Sequence, residues 1–151
     1  MPALLNDRYQ ILRHLSEGGE NVVYVASDSQ SQPPGQEVVI KRRKHSFEGS
    51  DKETWQRELR LVEGLHSSSI VRPIDSFIAP VETVLYGYVV QPFIQGQTLA
   101  EELESKRYTE TEVKSIITEL LDIVLFLQEL RPPVLHRDLK PSNIMRRETD
   151  Q

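Results

Sequence analysis

Along the first ninety residues, short apolar stretches rich in β-branched and aromatic side chains alternate with polar, glycine- and proline-bearing turns. Residues 9–15, 22–26 and 37–41 read as three antiparallel strands, joined by turns at 16–21 and 27–35. The spacing of Ser50 and Glu53 is that of a capping box, and Gly64 follows the last turn, which predicts a helix over 51–63. Its apolar positions Trp55, Leu59 and Val62 form one stripe, with Glu58 beside it. Residues 71–78 and 84–91, around a turn at Pro80, complete a predicted five-stranded antiparallel sheet. Thr98 and Glu101 cap a short helix ending near Lys106, and Thr109 and Glu112 cap a longer one running to about Leu130, before Pro132-Pro133. In the longer helix Val113, Ile116, Ile117, Leu120, Leu121 and Val124 keep helical spacing, and residues 123–127 are apolar without a break. Such a helix belongs inside a bundle.

Composition narrows the class without choosing a function. The chain has 151 residues, 38% hydrophobic and 27% charged, with a net charge of −5, enough for one domain with a core. A mildly acidic surface argues against nucleic acid as a partner. The one basic run, Lys41-Arg42-Arg43-Lys44, reads better as the solvated end of a strand than as a binding patch. There is no cysteine, which excludes disulfides and thiolate metal sites. No apolar run is long enough to span a bilayer and no cationic segment precedes an apolar one at the start, so a cytoplasmic chain without a membrane segment is expected.

The candidate chemistry lies in His136-Arg137-Asp138-Leu139-Lys140-Pro141-Ser142-Asn143. Pro141 disfavours helix at Lys140, so the stretch reads as an extended loop in which Asp138 and Lys140 lean the same way and Asn143 reaches the same place from further on. A carboxylate can take a hydroxyl proton, an ammonium can hold phosphate oxygens and an amide oxygen can ligate a hard cation. Phosphoryl transfer needs these three.

The eight residues resemble the catalytic loop of the eukaryotic-like (Hanks-type) serine/threonine protein kinases. The resemblance implies an α+β fold: a kinase N-lobe of five strands and one helix over 1–91, a hinge at 92–96, and over 97–151 the first helices and catalytic loop of a C-lobe. It implies ATP and Mg2+ as cofactors and a protein with a Ser or Thr acceptor as partner. Asp138 would accept the substrate proton, Lys140 would steady the γ-phosphoryl and Asn143 would bind magnesium. Lys41, in Val38-Val39-Ile40-Lys41, would hold the α- and β-phosphates, paired with Glu58, while Val39 replaces the family's alanine in the adenine pocket. Leu15, Gly18, Gly19 and Val23 fall on the glycine-rich loop. Gln91 falls on the gatekeeper, and Pro92 and Ile94 on the hinge positions that meet adenine through the backbone.

The sequence also departs from the family pattern. Ser16 and Asn21 stand at two of the loop's glycines and Glu20 at its tip, where a carboxylate repels triphosphate. Asp-Phe-Gly and all that follows it in the family do not occur after Asn143. The expectation is therefore an incomplete kinase domain, inactive by itself, that associates through its apolar helix 110–130. A pseudokinase or nucleotide-binding scaffold is the alternative.

Overall fold

Three strands, β1 (Tyr9–Glu17), β2 (Asn21–Asp28) and β3 (Gln36–Arg43), form consecutive antiparallel pairs. In the computed structural model, which describes residues 4–148, β5 (Val84–Pro92) pairs with β3, and β4 (Asp75–Val81) closes the sheet in the order β1-β2-β3-β5-β4. The fourth strand starts later than its sequence suggests. Pro80 lies inside β4 opposite Leu85, and the chain turns at Glu82 instead, whose φ of 56° is left-handed.

Alternation gives the sheet two different faces. Tyr9, Ala26, Val38, Ile40, Tyr88 and Val90 form a buried cluster on one of them. On it Phe77 stacks between Tyr9 and Tyr88, with centroids 5.9 and 5.0 Å apart. Polar groups at its edge are paired, as buried polar groups must be. The Tyr9 hydroxyl donates to Asp75 at 2.6 Å, and Arg8 grips Asp28 through two bonds of 2.7 Å. Asp28 is only 2% exposed.

The opposite face carries α1 (Asp51–Glu63). Trp55 packs on Phe47, centroids 5.3 Å apart. Both rest against the backbone of Gly87, where a Cβ would come within 2.8 Å of Trp55 and 2.9 Å of Phe47. The Ser50 side chain makes no cap. Its spacing with Glu53 is right, but Ser50 is not in the extended conformation that aims a hydroxyl at the first turn.

The contacts divide the chain into two units, Met1–Phe93 and Ile94–Gln151. In the second, α2 (Leu99–Ser105) and α3 (Glu110–Glu129) start with complete capping boxes, Thr98 with Glu101 and Thr109 with Glu112. A feature not legible beforehand is β7 (Met145–Arg147), which pairs with β6 (Gly96–Thr98). Gly96, with φ of 147°, is required here, because a Cβ would sit 2.0 Å from the Arg146 carbonyl oxygen. Only Leu127 of α3 is buried. Val113, Ile117, Leu121 and Leu125, an i, i+4 row, are all exposed, Leu121 by 56%. The apolar row of α3 is thus left uncovered among the described residues, as expected of a sequence that offers this helix no bundle. No helix of the described residues is long and apolar enough to cross a membrane. Residues 149–151 of the last domain range, and 1–3 of the first, lie outside the described residues.

Candidate active site

Direct cross-strand partners share a face of a sheet, and this groups the candidates in the first unit. Lys41 stands between Val23 and Val89, and Val39 between Val25 and Gln91. Val38 and Ile40 turn into the buried cluster, so Lys41, Val39, Val23 and Gln91 share the other side. Val25 and Val89 belong there too. Sequence motifs do not single them out, although counting the alternation outward from Lys41 would. Burial holds the Lys41 ammonium below its usual range with no carboxylate to oppose the effect.

That absence bears on Glu58, expected as the partner of Lys41. Glu58 is exposed, and no salt bridge joins it to Lys41 among the described residues. The physical reason is the rotation of α1. Lys52, Trp55, Gln56, Leu59, Arg60 and Glu63 line the groove against Ser76, Phe77 and Ile78 of β4. At 100° per residue, a helix that turns these positions to the sheet points Glu58 off its flank.

The loop between β1 and β2 is less strained than its departures suggest. The Gly18 amide closes a turn on the Asn21 carbonyl at 3.0 Å. None of Ser16, Gly18, Gly19, Glu20 or Asn21 has a positive φ, so Ser and Asn at two glycine positions cost no left-handed strain. A Cβ at Gly19 would meet nothing within 4 Å, which leaves the backbone open to an approaching ligand. Two bonds tie the loop to the end of β3: the Lys44 amide to the Glu20 carbonyl at 2.8 Å and Lys44 Nζ to Glu17 at 3.0 Å. Leu15 sits beside an irregularity between His14 and Ser16 and is 49% exposed. Pro92 ends β5 opposite Val38, and Ile94 opens the second unit.

In the second unit the catalytic-loop candidates converge. Lys140 is extended, as the following proline requires, and Pro141–Asn143 form a 3-10 turn rather than the extended chain expected. The turn brings Asn143 back onto Asp138. Its Nδ2 donates to the Asp138 carbonyl and to Oδ2, both at 2.8 Å, and Lys140 Nζ lies 3.2 Å from Oδ1. Lys140 first and Asn143 second hold the Asp138 carboxyl below its usual range. Between His136 and Asp138, Arg137 is left-handed with φ of 63°, a conformation that costs a non-glycine residue about 1–2 kcal/mol. The Asp138 amide donates to His136 Nδ1 at 3.3 Å.

This donor set suits a hard cation only in part. With its nitrogen committed to Asp138, Asn143 has its amide oxygen left to offer. Among the described residues no three His, Cys, Asp or Glu gather into a metal site, so Asn143 would be one ligand among others from phosphate or water.

Known proteins resemble this chain along most of its length. The family model of the protein kinase domain matches residues 9–151. The chain is 31% identical over 99% of its length to serine/threonine-protein kinase PknA of Nostoc sp., covering 27% of that protein. It is 32% identical over 97% of its length to serine/threonine-protein kinase B of Synechocystis sp., covering 26%. To the human serine/threonine-protein kinase tousled-like 1 it is 32% identical over 93% of its length, covering 18%. The chain belongs to the protein kinase family. It spans about a quarter or less of the length of these relatives.

Proposed function

We propose that these residues form part of a serine/threonine protein kinase domain that transfers the γ-phosphoryl group of ATP to a Ser or Thr hydroxyl of a protein substrate. The observation that carries this reading is the Asp138, Lys140 and Asn143 network. An ionised Asp138 is an acceptor for the substrate hydroxyl proton, and its hydrogen bonds fix the direction in which it accepts. Lys140, free to leave Asp138 for a phosphate, places positive charge by the transferring group, and Lys41 supplies the cation for the other phosphates. Magnesium, where bound, neutralises phosphate charge, and Asn143 offers it an amide oxygen. The backbone at Pro92 and Ile94 meets adenine, beside Val39, Val23 and Leu15, with Gly18 and Gly19 over the phosphates. The kinase relatives support serine and threonine rather than tyrosine as acceptors.

The polypeptide 1–151 contains no Asp-Phe-Gly, and by itself it is expected not to turn over. A nucleotide-binding scaffold is a second reading, favoured by Glu20 at the loop tip and by the unpaired Lys41 and Glu58. Phosphoamino-acid analysis of a generic protein substrate, incubated with the complete protein carrying these residues, separates the two. Labelled serine or threonine, abolished by Asp138→Asn, is expected. No label, or label indifferent to Asp138→Asn, would contradict the kinase reading.

A further inference from the structure

The candidate catalytic loop is not held by burial. Residues 135–143 are exposed, and Arg137 keeps a left-handed φ of 63°, a conformation that persists only where its surroundings enforce it. The anchors lie just beyond the loop. The Leu99 amide, one of the donors that the start of α2 leaves without a partner inside the helix, bonds the Ile144 carbonyl at 2.9 Å. The next three residues, Met145–Arg147, pair with Gly96–Thr98. A two-stranded ladder of that length is a marginal anchor by itself.

A side-chain clamp reinforces it. Arg146 Nε donates to Glu102 Oε1 at 2.9 Å, and the Tyr108 hydroxyl donates to Oε2 of the same carboxylate. The Glu102 side chain is only 12% exposed. A carboxylate so enclosed requires partners, and each of its oxygens has one, a cation on one side and a phenol on the other. The bond to Glu102 is also the main influence holding the Tyr108 hydroxyl above its usual range. Helix α2, which carries Glu102, packs against the Pro141–Asn143 turn as well.

We propose that Glu102 is a positioning residue for the candidate catalytic loop: by holding Arg146 it locks β7 to α2, and so keeps Asn143, two residues before β7, within hydrogen-bond reach of Asp138. The proposal rests on the reading of Asp138 and Asn143 given above, but its consequence is geometric. Without the clamp β7 frays and Asn143 releases the carboxylate. Asp138 then loses one of the two bonds, from Lys140 and from Asn143, that favour its charged form. Electrostatics alone predicts the opposite, because removing the Glu102 charge takes away an anion and so lowers the midpoint of a nearby acid. The sign of the shift separates the two effects.

Carbon-detected NMR titration of the Asp138 side chain in the full chain reads that sign. Glu102→Gln, which keeps the shape, is expected to raise the Asp138 midpoint toward the ordinary carboxylate range and to speed exchange of the Asn143 side-chain amide. Arg146→Met should raise the midpoint likewise. Arg146→Lys should restore most of the wild-type value, since an ammonium can still meet Glu102. Thr109→Ala, which removes the cap of α3 and lowers stability without touching β7, should leave the midpoint in place. A midpoint that stays or falls in Glu102→Gln, or that rises equally in Thr109→Ala, would overturn the proposal. Failure of the kinase reading would show instead in the phosphoamino-acid analysis, with these midpoints still shifted as expected.

Discussion

The amide nitrogen of Asn143 donates to both the backbone carbonyl and the carboxylate of Asp138, at 2.8 Å each. A single side chain thereby fixes the peptide plane and the carboxylate plane of Asp138, and Lys140 closes the third side at 3.2 Å. Because both residues favour the charged form, Asp138 is ionised over the whole neutral range.

Replacing Lys140 by Met should therefore move the Asp138 carboxyl upward toward the ordinary carboxylate range. Carbon-detected NMR titration of the side chain reads this directly. Since the folded-state value is depressed, the contribution of these bonds is complete above the ordinary range and is lost as pH falls through the depressed one. An Asp138 midpoint identical in wild type and Lys140→Met would show that the 3.2 Å contact carries no weight in solution.

Two ion pairs on the sheet should behave very differently. Asp28→Asn removes one member of a pair whose carboxylate is 2% exposed, and a cost of about 3 kcal/mol in urea unfolding is expected for a broken buried pair. Glu37→Gln, which breaks an exposed pair with Arg13, should change stability by less than about 1 kcal/mol. The Arg8 hydrogen bond holds Asp28 below its usual range. Its stabilisation is thus present above the ordinary carboxylate range and lost on acidification, and Asp28→Asn should flatten the acid limb of the stability profile.

Much of this was legible in the sequence, and the exceptions share a cause. Helix α1 spans Asp51–Glu63, as expected, because an apolar stripe and a following glycine are local signals. The division of Val38 and Ile40 from Val39 and Lys41 follows from alternation alone. The link from Lys41 to Glu58 was not secure, because it depends on how α1 is rotated by Trp55 against Phe47 and Gly87, and no local pattern records that. Strand β7 was missed because Met145-Arg146-Arg147 has no alternation of its own. It exists through pairing with residues nearly fifty positions earlier.

That pairing gives a sharp test at Gly96. A Cβ 2.0 Å from the Arg146 carbonyl oxygen leaves no room without breaking the ladder. Gly96→Ala is expected to free the segment after Ile144, seen as accelerated amide exchange at Leu99 and Glu148, which donate to the Ile144 and Gln95 carbonyls, whereas Gly19→Ala, in open space, should leave exchange there unaltered.

The exposed row on α3 should make the isolated polypeptide bind hydrophobic dyes and self-associate. Leu121→Glu combined with Leu125→Glu, both at positions more than half exposed, should reduce dye fluorescence and shift sedimentation toward monomer. A wild-type chain that is already monomeric and dark would contradict this.

The proposed function depends most on Lys41 as the residue that holds the phosphates of ATP. Calorimetric titration of the complete protein with ATP and magnesium tests it most directly, with Lys41→Met alongside. Saturable binding in the wild type, weakened at least about tenfold by Lys41→Met, is the expected result. Equal affinity in the two proteins, or no binding to either, would contradict it.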